Sequence, residues 1–279
     1  TQRFGINVFK VKEIIPCPSL SQLPDAHPYV CGVAHLRGQT IPVLDLARAI
    51  GMGRGKPGPE SLVIVTEFSR STHGLLVSQV EKIINMSWDK VMPPPAGSGR
   101  TSYLTAITQV DNELIEVIDV EMVLDEVTPA DTQVSDETLD KSSALAGRSI
   151  EVLVVDDSSV ARNQIKQALE QVGVTCHMAK DGKDALEFLQ TFANEGIPIS
   201  QRFQLIISDI EMPEMDGATL CREIRRDESL KELYVLLHSS LSGNFNRDVV
   251  ADAGANEFLP KYNPDDLAQA VLERAGTAN

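Results

Sequence analysis

The sequence has no run of about 18 apolar residues, so no helix is expected to cross a membrane. It shows no secretory signal, although it starts at Thr1 without a methionine; a trimmed start with the first strand missing is the expectation. It has no excess of positive charge: 25 Lys and Arg against 40 Asp and Glu give a formal net charge of -15. Such a surface repels phosphate backbones and anionic lipid heads, so neither nucleic acid nor direct membrane insertion is expected. The cysteines Cys17, Cys31, Cys176 and Cys221 form no Cys-x-x-Cys pair, and none stands near a histidine at zinc spacing. They read as small buried hydrophobes in a reducing cytoplasm. No internal repeat of solenoid length is present.

What remains is a globular composition, 42% hydrophobic and 23% charged over 279 residues, a length that suits two domains. Residues 127–148 are polar, acidic and poor in aromatics, as expected of a linker. Before it, at 1–126, runs such as Ser61–Thr66, Gly74–Ser78 and Leu114–Ile118 read as short strands bounded by Gly, Pro and Asn. Pro93–Gly99 reads as a loop. Many short strands predict a barrel or sandwich. After it, at 149–279, apolar runs alternate with helical patterns. Val152–Val155, Leu205–Ile207, Tyr234–Leu237 and Glu257–Leu259 are strands; 160–172, 181–192, 217–226, 247–253 and 264–275 are helices. This alternation predicts a doubly wound parallel α/β sheet, with ligands bound beyond the carboxyl ends of its strands.

Those ends carry chemistry. The first strand ends in Asp156-Asp157, the third in Ser208-Asp209, the fourth in His238-Ser239-Ser240 and the fifth in Pro260-Lys261. Three converging carboxylates repel, and a hard cation such as Mg²⁺ relieves the repulsion through oxygen ligands. A carboxylate can act as a nucleophile toward phosphorus. Lys261 and Mg²⁺ supply charge neutralisation, and Ser239 can donate to a phosphoryl oxygen. Each residue also has a plain reading: Asp157 as a helix cap, Asp209 as a solvated strand end, Lys261 as a surface charge, His238 as core.

Residues 149–275 resemble the receiver domains of bacterial response regulators, through Val154–Ser158, Ser208–Gly217, Ser239 and Lys261. The resemblance implies a flavodoxin-like (βα)5 fold and phosphorylation of Asp209 from a histidine kinase. It implies Mg²⁺ held by Asp157, Asp209 and the backbone carbonyl of Glu211, with Asp156 acting mainly through water. It implies a phosphate contact from Lys261 and a switch pair of Ser239 and Phe258. The chain departs from the family at Ser240, where a smaller residue is usual, at Tyr262, where proline usually follows the lysine, and at Glu211, an extra acid.

The first half has 11 basic and 14 acidic side chains in residues 1–126, unlike a basic DNA-binding output domain. It has no nucleotide loop: 51–56 is glycine-rich but lacks the Walker spacing. Phe4–Ile14, Gly32–Leu46, Tyr103–Ala106 and Ile115–Val120 resemble the CheW family of chemotaxis coupling proteins. That resemblance implies two small five-stranded barrels that bridge chemoreceptor tips and a histidine kinase. It gives Val11, Glu13, Gly32 and Arg37 as coupling contacts; Arg37 can equally form a salt bridge inside the barrel. A CheW-like domain joined to a receiver resembles the CheV-type coupling proteins. The expected function is a cytoplasmic adaptor recruited to receptor arrays, not an enzyme, with coupling tuned by phosphorylation at Asp209. The alternative is a phosphate sink that drains the kinase and hydrolyses the acyl phosphate. A haloacid dehalogenase-type phosphatase is disfavoured, because its nucleophile opens an Asp-x-Asp pair on the first strand.

Overall fold

The computed structural model describes residues 2–277 apart from 54–57, 59, 69–70, 88–89, 95–102, 144, 146, 194–197, 240–251 and 262. The expected loop at 93–99 and the glycine-rich 51–56 fall partly outside that set, and Ser240, Tyr262 and most of the expected helix 247–253 fall outside it. The chain divides into two compact units, Thr1–Pro129 and Ala130–Asn279.

The first unit contains β1 (Phe4–Gly5), β2 (Glu13–Pro16), β3 (Val30–Leu36), β4 (Gln39–Asp45), α1 (Leu46–Ala49), β5 (Leu62–Phe68), β6 (Ser71–Val77), β7 (Leu104–Val110), β8 (Glu113–Ile118) and α2 (Val120–Val127). Five strands form one sheet in the order β2-β5-β6-β4-β3 around buried Ala34, Ile41, Val43, Val63, Val65 and Leu76. Its edge strands β2 and β3 meet again. Arg37, just past β3, donates to Glu13 of β2 at 2.7 Å, and Ser21 bridges Val33. The sheet is therefore curled enough for its two edges to approach each other. A second sheet has the order β1-β8-β7 among the described residues, and Met92 bridges Ile107 beside it.

The two sheets hide a repeat of sub-solenoid character. Tyr103, Asp111 and Asp119 reproduce the spacing of Tyr29, Arg37 and Asp45. Each tyrosine carbonyl accepts from the matching aspartate N–H, at 2.8 and 2.7 Å. Each aspartate caps the following helix. Each hairpin carries a register shift near its start, at Val30/Gly32 and Leu104/Ala106. Each turns through two residues of positive φ, Arg37-Gly38 and Asp111-Asn112, the geometry of a tight type I′ hairpin. Val11-Lys12-Glu13-Ile14-Ile15 recurs as Val80-Glu81-Lys82-Ile83-Ile84 with its charges exchanged. The tip pairs are exchanged too: Glu13 with Arg37, and Lys82 with Asp111 at 3.3 Å.

The second unit starts inside the stretch expected as a linker. That stretch contains α3 (Asp136–Ser143), with two acids in its first turn and a Glu137–Lys141 pair one turn apart, both favourable to an isolated short helix. Its polarity conceals two buried residues, Val134 and Thr138, and two partly buried leucines, Leu139 and Leu145; Val134 and the leucines pack on the second unit's core. The unit then runs β9 (Ile150–Val155), α4 (Ser159–Gln171), β10 (Val174–Ala179), α5 (Gly182–Ala193), α6 (Ile199–Arg202), β11 (Phe203–Asp209), α7 (Gly217–Arg226), β12 (Val235–Ser239), β13 (Glu257–Pro260) and α8 (Pro264–Thr277). All neighbouring strands are parallel, in the order β10-β9-β11-β12-β13. One core layer joins Val152, Val154 and Ile207 to Ile165, Leu169 and Val271; the other joins Leu153, Ile206 and Val235 to Leu189, Leu220 and Ile224. Strands covered on both faces explain the near-continuous apolar runs.

Candidate acidic phosphoacceptor site

Strand order reverses between β9 and β11, so their carboxyl ends border a crevice. Asp156 follows β9 directly and Asp209 closes β11. Both are buried, at 1% and 4% exposure. One carboxylate oxygen from each of Asp156, Asp157 and Asp209 lies within 4.8 Å of the others. Lys261, after β13, extends its ammonium between two of them, 2.6 Å from Asp156 Oδ2 and 3.0 Å from Asp209 Oδ2. The structure thus brings together four of the residues that sequence placed at strand ends, Asp156, Asp157, Asp209 and Lys261.

Local backbone fixes two of the carboxylates. Asp156 Oδ1 accepts from Ser158 N at 2.9 Å, and Asp209 Oδ1 accepts from Ile210 N at 2.8 Å. Ser158, not Asp157, caps α4, accepting from Ala161 N at 3.2 Å. The capping role read for Asp157 therefore falls to its neighbour, and Asp157 stands with the acidic cluster. Arg162 of the first turn donates to the Asp156 carbonyl at 2.5 Å. Behind Asp209, Gly217 opens α7 so tightly that a Cβ there would lie 2.0 Å from the Asp209 carbonyl oxygen. Any side chain at 217 would displace Asp209. Sequence reading gave Ser158, Arg162 and Gly217 no site role. The first two bind backbone or carboxylate locally, and only the Asp216-Gly217 step, a cap followed by a glycine, hints at the third.

Ser239 ends β12 fully buried, and its carbonyl accepts from Lys261 N at 2.8 Å. Phe258 is partly buried on the α5–α7 face, packed with the core layer that contains Leu237 and Ala218. Glu211 lies half-buried in the loop after β11. His238 pairs in register with Asp209 and is buried; desolvation, then the nearby Lys261 charge, push its pKa down to about 3. It is a neutral core residue at ordinary pH. Three carboxylates and one ammonium leave two negative charges in an all-oxygen donor set. That fits a hard divalent cation such as Mg²⁺ and no soft metal.

In the first unit, Glu13 and Arg37 find each other, with Arg37 largely exposed and Glu13 partly buried. Gly32 has φ 152° and passes so close to the preceding loop that a Cβ would lie 2.7 Å from the Ser21 carbonyl oxygen. Its demand is structural. Val11 is half-buried beside β2, its N–H donating to Val8 O at 3.0 Å. The four thus lie on or beside the edge strands β2 and β3.

Comparison with known proteins assigns both units. The CheW-like domain family matches residues 1–128, and the response regulator receiver domain family matches residues 152–272. Chemotaxis protein CheV3 of Helicobacter pylori (strain ATCC 700392 / 26695) is 32% identical over 275 residues, covering 96% of this chain and 87% of that protein. CheV2 of the same strain is 26% identical, covering 94% and 86%, and CheV1 is 26% identical, covering 97% and 88%. No described helix is long and apolar enough to cross a membrane. With its CheW-like domain followed by a parallel five-stranded receiver domain, the chain belongs to the CheV family of chemotaxis proteins.

Proposed function

We propose that this chain is a chemotaxis adaptor whose CheW-like unit couples chemoreceptor tips to a histidine kinase, and whose receiver tunes that coupling through phosphorylation of Asp209. The observation that carries this reading is the convergence of Asp156, Asp157 and Asp209 with Lys261 on one crevice. A carboxylate oxygen of Asp209 attacks the phosphorus of a phosphohistidine. The P–N bond breaks, its electron pair stays on the imidazole, and the imidazole takes up a proton. The Ile210 N–H tethers one carboxylate oxygen and so orients the nucleophile. Lys261 offsets the charge that accumulates on the acceptor. Asp157, Asp209 and the Glu211 carbonyl would hold Mg²⁺, with Asp156 acting mainly through water, and the ion would supply electrostatic stabilisation of the transferring group. Ser239 contacts the phosphoryl group, and Phe258 responds to the movement of Ser239.

Added negative charge in a packed crevice biases the elements around it, the general basis of phosphorylation switches. The adaptor acts in the cytoplasm, recruited to receptor arrays at the inner membrane. Its test is binding of the chain to receptor–kinase complexes with and without an acyl-phosphate mimic. A changed affinity is expected, and an unchanged one would remove the tuning while leaving the adaptor. Phosphate lifetime separates this reading from a phosphate sink: a switch holds its phosphate, whereas a sink turns it over rapidly.

A further inference from the structure

The receiver-side residues that follow the Pro129–Ala130 junction are not a free tether. Gln171 of α4 donates through Nε2 to Thr132 O at 2.7 Å and accepts from Val134 N at 3.2 Å. Val134 is buried in the core layer of Ile165, Leu169 and Val271. Asp265, in the first turn of α8, then receives three hydrogen bonds on a single oxygen, Oδ1. They come from Ser135 N at 2.9 Å, Ser135 Oγ at 2.8 Å and Thr138 Oγ1 at 2.9 Å. Thr138 is fully buried there, and Gln269 of α8 also reaches its hydroxyl, at 3.4 Å.

The two helices that grip this segment also follow the acidic-site residues in the chain. α4 issues from Asp156-Asp157-Ser158, and its Arg162 donates to the Asp156 carbonyl. α8 begins at Pro264, shortly after Lys261, and Asn263 Oδ1 accepts from Asp265 N at 3.0 Å. The Lys261 ammonium touches Asp156 and Asp209, its N–H is tied to Ser239, and α8 with Asp265 follows three residues later in the chain.

We propose that residues 130–143 are a strap that reads the acidic site. A phosphoryl group on Asp209 draws Lys261 away from Asp156 and shifts the start of α8. That shift loosens the strap adjoining the CheW-like unit. The strap reading rests on Asp209 being the phosphoacceptor. Three bonds that share one acceptor oxygen depend on one position, so a small displacement weakens all of them together. Small shifts at a site are amplified where a packed element has two discrete arrangements.

Amide hydrogen exchange of the full chain tests this, with Mg²⁺ alone and with Mg²⁺ plus beryllofluoride, an aspartyl-phosphate mimic. Fluorine NMR of bound beryllofluoride reads site loading separately. Loading is expected to speed exchange by about tenfold or more at Ser135, whose amide loses its bond to the Asp265 carboxylate, and at Thr138 and Leu139, whose amides donate to the Ser135 carbonyl. Asp209→Asn neither loads nor responds. Asp265→Ala loads normally but exchanges fast at the strap in both states, and Asp265→Asn, which keeps the acceptor oxygen, lies between. Loading with unchanged exchange at 135–139 overturns the strap alone. Absence of loading overturns the phosphoacceptor assignment, and the strap falls with it.

Discussion

The two units put their unusual groups in opposite places. The CheW-like unit leaves apolar side chains outside: Val8, Ile14, Leu23, Met52, Ile83, Ile84, Met92 and Leu114 are the exposed large hydrophobics among the described residues, and all belong to it. The receiver instead keeps charge inside, with Asp156 and Asp209 buried against Lys261. Exposed apolar surface is a feature of contact with partners. Buried charge that can be altered by chemistry is a feature of a switch. The same type of bond, an ion pair, consequently has different weight in the two halves.

That contrast can be broken at several points. Gly217→Val should have the largest effect, because its Cβ collides with the Asp209 carbonyl. A loss of about 3 kcal/mol is expected for the receiver by urea denaturation. The single tryptophan, Trp88, lies in the sequence of the first unit, so its fluorescence transition should stay where it is. Lys261→Met comes next. It leaves two buried carboxylates without their counter-charge and should cost the receiver about 3 kcal/mol without divalent ion, partly recovered on adding Mg²⁺. The exposed counterpart, Arg37→Ala, should cost the first unit no more than about 1 kcal/mol.

One buried group in each half should contribute a pH response of opposite sign. Burial, then the Glu121 charge, raise the Asp119 carboxyl to about 6. The folded first unit therefore binds a proton that the unfolded chain releases near 4. The resulting stability is present at low pH and lost as pH rises through about 6. His238 is depressed to about 3 in the fold, whereas the unfolded chain binds its proton near 6.5. Its contribution is present above about 6.5 and lost as pH falls toward 3. Comparing each chain with Asp119→Asn or His238→Gln at pH 4.5 and 6.5 isolates these effects. Equal pH slopes for wild type and variant in either unit would remove that contribution.

The receiver was the more legible half. Strands buried on both faces write themselves as Val-Leu-Val-Val or Leu-Ile-Ile, and the chemistry sits where those runs stop. β10, an edge strand with Thr175, Cys176 and His177 in its middle, carries no such run and went unlisted as a strand from sequence. The strap was hidden because Ser135, Thr138 and Asp265 look solvated until distant chain brings them together. In the first unit several strands were readable, but their order in the sheet, which brings Glu13 to Arg37, was not. The repeat also escaped notice, because it survives mainly as spacing, turn conformation and exchanged charges. Local pattern reports burial well; it reports poorly on contacts that exist only after the sheet has folded.

The most direct measurement is phosphotransfer from a phosphorylated chemotaxis kinase, with Mg²⁺, to the wild-type chain and to Asp209→Asn. The account predicts label on the wild type and none on the variant. Label on Asp209→Asn at the wild-type rate would contradict it.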